Sequence, residues 1–345
     1  MDRDEKTIPV TIITGFLGAG KTSVLNGILA ADHGMRIAVL VNDFGNINID
    51  SKFLVGVEDN TISMTNGCIC CTLRNDLLRT ALEIADRPEQ PHYLVIEASG
   101  VSDPWAVVET FRQPQVRQRF RVDSIVSVVD AEQITGTFVQ QREYAELALR
   151  QITVADIVVL NKIDLVSRKI LTNLCDWVRS IVPNARILET SYGKIPLGMV
   201  FEGGDYYHTL ERATASQHSH IQACGCHDCN GTCRCGHDDH NDHHHDHTTE
   251  FCTWSYETEQ PLLLRAVRDT LKTLPPTIFR AKGILALTES PKRRTMLQLV
   301  GSRMTLTVGG PWGMMPPHTQ VVFIGTPDGI DTADLQRRFA TCKAG

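Results

Sequence analysis

Apolar and polar positions change period several times along this chain, and the changes mark out its elements. VTIITG, RIAVLVN, HYLVIEA, SIVSVVDA, DIVVLNK and ARILET are short, nearly continuous apolar runs, the pattern of strands buried on both faces. Between them the spacing turns helical from Lys21, after Pro104, and through Leu174 and Val178. Strands and helices alternating in this way predict an α/β domain over 1–196, a doubly wound and mostly parallel sheet. From 197 to 249 the periodicity gives way to Gly, Asp, His and Cys, with no window able to bury an apolar face. A flexible linker is expected there. The pattern returns over 250–345, with strands at FCTWSYE, IFRAKGILALT, TMLQLVG, RMTLTVG and QVVFIG and helices at PLLLRAVRDTLKTL and TADLQRRFATC. Strands outnumber helices, so a smaller α+β domain is expected.

Composition narrows the partners. A chain of 345 residues has room for two domains, and 34 Lys+Arg against 40 Asp+Glu give a net charge of −6. That balance offers no general attraction to nucleic acid or to an anionic membrane surface. No apolar run approaches the ~18 residues of a spanning helix. The opening MDRDEKTIPV lacks the apolar core of a secretory signal, so the expected location is cytoplasmic. Of 11 Cys, three fall within 68–71 and five within 224–235, and nine of the 13 His fall within 218–247. In a reducing compartment such clustering points to metal rather than to disulfides.

Gly15-Phe16-Leu17-Gly18-Ala19-Gly20-Lys21-Thr22 fits GxxxxGK[ST] between a strand and a helix that starts over Ser23. Gly15, Gly18, Ala19 and Gly20 let backbone N–H groups wrap phosphates at a helix N-terminus; Lys21 pairs with the β/γ-phosphates, and Thr22 ligates Mg²⁺. Asn161-Lys162-Ile163-Asp164 ends the strand DIVVL, where a base-selecting loop belongs. The Asp164 carboxylate can accept two hydrogen bonds from guanine that adenine cannot supply, which favours GTP. Ser191-Tyr192-Gly193 would close over the base. Glu97-Ala98-Ser99-Gly100 follows another strand: the carboxylate can serve the Mg²⁺ shell or orient water, and Gly100 permits close approach to the γ-phosphate.

Gly67-Cys68-Ile69-Cys70-Cys71 is the sharpest signal outside the nucleotide motifs. In an extended segment Cys68 and Cys70 point the same way and a bend at Cys71 adds a third thiolate, a soft and incomplete tetrahedron suited to Zn²⁺ or to Co²⁺, Ni²⁺ or Fe²⁺. With GFLGAGKT, NDFG at 42–45, EASG and SDP at 97–104, RQITVADIVVLNKID at 150–164 and RAKGIL at 280–285, the ordered set resembles the CobW-like metallochaperone GTPases, relatives of the accessory proteins that insert nickel into hydrogenase and urease. The resemblance implies a GTPase domain followed by a CobW-like C-terminal domain. It also implies that Cys68, Cys70 and Cys71 bind metal near the nucleotide, and that Lys21, Thr22, Glu97, Asn161 and Asp164 serve GTP and Mg²⁺. Asp43 stands where the family commonly has Glu, which keeps the charge with a shorter reach; Asn46 replaces a usually acidic residue, and Ser99 keeps the hydroxyl of the family's Thr.

CGCHDCNGTCRCGHDDHNDHHHDH offers many further ligands: His218, His220, Cys224, Cys226, His227, Cys229, Cys233, Cys235, His237, His240, His243, His244, His245 and His247. The spacings are too tight for a zinc finger with a helix between ligand pairs, so an auxiliary, polydentate metal collector is expected. The leading expectation is a GTP-hydrolysing metallochaperone, zinc favoured, that hands its ion to a client metalloprotein as the segments Asp43–Asp50 and Glu97–Ser102 respond to nucleotide. A kinase-like P-loop enzyme conflicts with NKID and the Cys triplet. A metal store or sensor with incidental GTP turnover is the alternative from another class.

Overall fold

The computed structural model describes residues 7–31, 35–42, 61–64, 70–136, 142–200, 252–326 and 329–344. Seven strands form one sheet: β1 (Ile8–Thr14), β2 (Ile37–Asn42), β3 (Thr61–Met64), β4 (Tyr93–Glu97), β5 (Phe120–Asp130), β6 (Ile157–Asn161) and β7 (Arg186–Glu189). Their order is β3-β2-β4-β1-β5-β6-β7, and every neighbouring pair is parallel. The apolar runs explain this: every residue of β1, β4 and β6 is buried, which only a sheet covered on both faces allows. Helices α1 (Lys21–Ala30), α2 (Cys70–Ala85), α3 (Pro104–Arg112), α4 (Pro114–Arg117), α5 (Ala131–Gly136), α6 (Arg142–Thr153) and α7 (Arg168–Ile181) connect the strands. Because all seven strands run one way, the loops after them gather along one edge, and the order reverses around β1, where α/β sheets bind ligands.

Five of these elements, β3, α2, α4, α5 and α6, are not marked by the hydrophobic pattern. A further difference lies at 197. There Leu197–Val200 forms a short helix, α8, with Met199 fully buried, because Ile195, Leu197 and Met199 join the core instead of opening a linker.

A second sheet, order β11-β10-β9-β12-β8, is antiparallel and holds β8 (Cys252–Thr258), β9 (Ile278–Leu285), β10 (Arg293–Val300), β11 (Arg303–Pro311) and β12 (Thr319–Gly325). Helices Leu264–Lys272 and Thr332–Ala340 cover one face, with Val267, Leu271, Leu335 and Phe339 packed on Ala281, Leu297 and Phe323. Phe279, Val300 and Ile324 instead share a core with Val126, Val159 and Leu188 of the parallel sheet. The antiparallel sheet thus supplies cover that would otherwise fall to a crossover helix. Strand β12 pairs with β9 on one side and β8 on the other, and α8 packs against it.

Polar groups lock the two sheets where β5 and β6 begin. The β1–β5 ladder shifts register between Val10 and Thr11, whose partners are Val122 and Ser124, so Asp123 is an extra, bulged residue. Its carboxylate is fully buried and accepts Arg280 Nη2 at 2.6 and 2.8 Å and Gln298 Nε2 at 2.7 Å, together with the Tyr93 hydroxyl. Burial raises the Asp123 pKa, but the Arg280 and Arg121 guanidiniums outweigh it and hold the carboxyl below the usual range. Asp156, just ahead of β6, accepts the Ile125 N–H and pairs with Arg303 Nη2 at 2.7 Å. Arg303 also donates to the carbonyls of Val122 and Asp123.

Candidate nucleotide and metal site

The loop Gly15–Gly20 joins β1 to α1, which opens with Lys21 and Thr22, at the carboxyl edge of the parallel sheet. Gly20 caps α1 with φ 97°, in the left-handed region, and a Cβ there would lie 2.3 Å from Asn161 Nδ2, so only glycine fits. No side chain caps α1, which leaves its first N–H groups to serve an anion. Lys21, 7% exposed, curls over the loop and donates from Nζ to the Phe16 carbonyl at 3.2 Å. Thr22 Oγ1 donates to Glu97 Oε1 at 2.9 Å, so a hydroxyl and a buried carboxylate from two different elements converge on one point. That hard-oxygen pair, beside a glycine-rich loop that opens into an uncapped helix N-terminus, fits Mg²⁺ with a nucleotide.

Asn161 organises the neighbouring loops. Its Nδ2 donates to the Ala19 carbonyl at 2.9 Å, and its Oδ1 accepts the Gly193 N–H at 3.0 Å. One buried amide therefore fixes the phosphate loop against the loop Ser191-Tyr192-Gly193. Lys162 is left-handed (φ 61°), and its ammonium meets Asp130 Oδ2 at 2.7 Å. Asp130, at the end of β5, uses its other oxygen to accept the N–H groups of Glu132 and Gln133 at the start of α5. Asp164 is exposed on the short 3₁₀ turn Ile163–Leu165, at the rim rather than in the core.

The stretch after β4 is held at several points. The Ala98 N–H donates to the Ile13 carbonyl, Ser102 Oγ donates to the Ser99 carbonyl at 2.9 Å, and Asp103 caps α3 through the Trp105 N–H. Asp130 and the α6 residues Arg150 and Gln151, which touch these loops, were not singled out by sequence reasoning. The usable signals were an acid ending the strand SIVSVVDA and the RQ that opens RQITVADIVVLNKID.

For the metal ligands the outcome is divided. Asp43, Cys68 and the whole of 218–247 lie outside the described residues. Cys70 and Cys71 open helix α2, which corrects the expectation of an extended segment: the stretch from Cys70 has Leu73, Leu77, Ala81 and Ile84 at helical spacing, and successive helical residues diverge instead of alternating. Strands β2 and β3 are parallel neighbours, so their last residues, Asn42 and Met64, lie side by side at the carboxyl ends of the sheet. Among the described residues no group of three or more His, Cys, Asp or Glu is placed to hold a metal. Cys175, remote in sequence from the triplet, is held as a thiol: burial first, then Glu189, pushes its pKa up to about 11. No helix among the described residues is long and apolar enough to cross a membrane.

The family profile described as CobW/HypB/UreG, nucleotide-binding domain, matches residues 9–189, and that of the cobalamin synthesis protein cobW C-terminal domain matches 251–343. The chain belongs to the CobW/HypB/UreG family and is a GTPase of metallochaperone type. It is 30% identical over 350 residues to a protein named zinc chaperone CobW from a Sinorhizobium species, covering 93% of each chain. It is 28% identical to zinc-regulated GTPase metalloprotein activator 1 of Dictyostelium discoideum, covering 92% of this chain and 71% of that one. Among solved structures, the Zn(II)-bound YjiA GTPase of E. coli aligns over 98% of this chain and 99% of that one, at 24% identity and a TM-score of 0.44.

Proposed function

We propose that this GTPase is a zinc chaperone whose nucleotide state governs the grip of Cys68, Cys70 and Cys71 on the ion, which it passes to a client metalloprotein. The observation that carries the reading is the adjacency of β2 and β3 at the edge where the phosphate loop also sits. The strands that lead into the Asp43 segment and into the Cys68 segment end side by side, which supports a direct coupling between nucleotide response and thiolate grip. Lys21 compensates phosphate charge; Thr22 and Glu97 hold Mg²⁺, which supplies the electrostatic stabilisation of the transferring phosphoryl group. Asp43 is the residue on the responsive segment that positions water or metal, and Ser191 closes over the base. Residues 218–247 collect ions weakly and feed the triplet. Relatives named as zinc chaperones support zinc as cargo over Co²⁺, Ni²⁺ or Fe²⁺.

The test is a zinc titration of protein lacking residues 218–247, once with a non-hydrolysable GTP analogue and once with GDP. The two affinities should differ ten- to a hundred-fold, about 1.4–2.8 kcal/mol of coupling. Equal affinities would refute nucleotide-gated delivery.

A further inference from the structure

Gln151 lies on α6 and is 1% exposed, a costly place for a primary amide on an amphipathic helix unless its hydrogen bonds are met. Its Nε2 donates to the Gly100 carbonyl at 3.3 Å, across 51 residues of sequence. Gly100 sits against the phosphate loop: a Cβ on it would lie 2.7 Å from the Leu17 backbone nitrogen, so the residue must be glycine for the two loops to meet. That requirement creates a difficulty, because a glycine in a loop has the widest choice of φ and ψ, and the peptide planes on its two sides turn freely without an external restraint. Gln151 supplies the restraint from the carbonyl side. The preceding residue, Arg150, reaches the same stretch at its other end, where Nη1 meets Asp103 Oδ2 at 3.4 Å.

Beside this contact is a small cavity bordered by Phe16, Ser127, Gln133 and Gln151. Within it Ser127 Oγ and Gln133 Oε1 are buried and have no hydrogen-bond partner among the described residues. Phe16 belongs to the phosphate loop, and its carbonyl receives Lys21.

We propose that Gln151 is a positioning residue for GTP hydrolysis: by holding the Gly100 carbonyl it fixes the peptide plane that follows Gly100, and so the backbone conformation of that glycine beside the γ-phosphate, and it acts on the transition state rather than on nucleotide binding. This rests on the reading of Gly100 as the phosphate-facing glycine. In the full-length protein, Gln151→Leu should lower kcat for GTP about ten-fold or more while KM for GTP and affinity for GDP stay within about two-fold. Gln151→Glu, nearly the same size but presenting a carboxylate to a carbonyl, should lower kcat at least as far above neutral pH; should the leucine variant fail to fold in a thermal melt, the glutamate variant carries the test. Hydrogen exchange in the GTP-analogue complex should show faster exchange over 99–103 in either variant, which a general loss of packing would not confine to that stretch. Gly100→Ala serves as the reference. If it leaves hydrolysis unchanged, the reading of Gly100 is wrong and the role of Gln151 falls with it. If Gly100→Ala lowers kcat and both Gln151 variants turn over GTP at the wild-type rate, the role of Gln151 alone is overturned.

Discussion

The Asp123–Arg280 pair shows how one residue out of register can join two sheets. A buried carboxylate is costly, and here Arg280, Gln298 and Tyr93 supply the compensating donors. Removing one partner leaves the other charge buried: Arg280→Met should cost about 3–5 kcal/mol in urea unfolding, and Asp123→Asn added to it should cost little more. Lys282, on the same face, responds to pH. Burial first, and Arg121 second, push its pKa down to about 7, against an upward push from Asp123. Below that value the folded and unfolded chains both carry the charge, and the cost of burying it is present in full. As pH rises towards the ordinary 10.5, the folded chain sheds a proton the unfolded chain keeps, so stability rises with pH across this window. Lys282→Met should remove that rise, so that the change in unfolding free energy between about pH 6.5 and about pH 9 differs from wild type by on the order of 1 kcal/mol.

Among the elements, the nucleotide loops act together because Asn161 ties them, and Asp164 stands apart at the exposed rim. This division predicts separable effects. Asp164→Ala should bring the affinities for GTP and ATP together with little loss of stability, measured by competition binding and a thermal melt. Asn161→Ala should weaken both nucleotides, since Ala19 and Gly193 each lose a fixed partner. The strands of both sheets apart from β3, the helices from Lys21 and after Pro104, and the residue types of the loops could be read from the chain. Strand β3 is only four residues long and is not set apart by an apolar run such as RIAVLVN. Helix α2 begins within the Cys cluster, where ligand chemistry masks the leucine spacing. On α6 the inward face includes Gln151, a polar residue that breaks the apolar stripe. The bond from Gln151 to Gly100 and the ion pair from Asp123 to Arg280, 157 residues apart, leave no local pattern, because each partner reads alone as an ordinary polar residue.

At the scale of the molecule, the two edges of the parallel sheet have different tasks. The antiparallel sheet grips the starts of β5, β6 and β7 through Asp123, Asp156 and Arg186, whose Nε donates to the Ile278 carbonyl. The opposite edge carries every nucleotide loop. The chain leaves the described structure after α8 and returns as β8, and both abut β12. The two ends that bound 201–251 are therefore held on one strand, so the length between them sets no distance between two bodies. Closure entropy varies only with the logarithm of loop length, about 0.6 kcal/mol per doubling. Removing residues 218–247, more than half of that stretch, should leave the melting temperature unchanged or slightly higher. Lengthening it should cost almost nothing, so the number of ligands carried there is free to drift without altering how the two sheets meet.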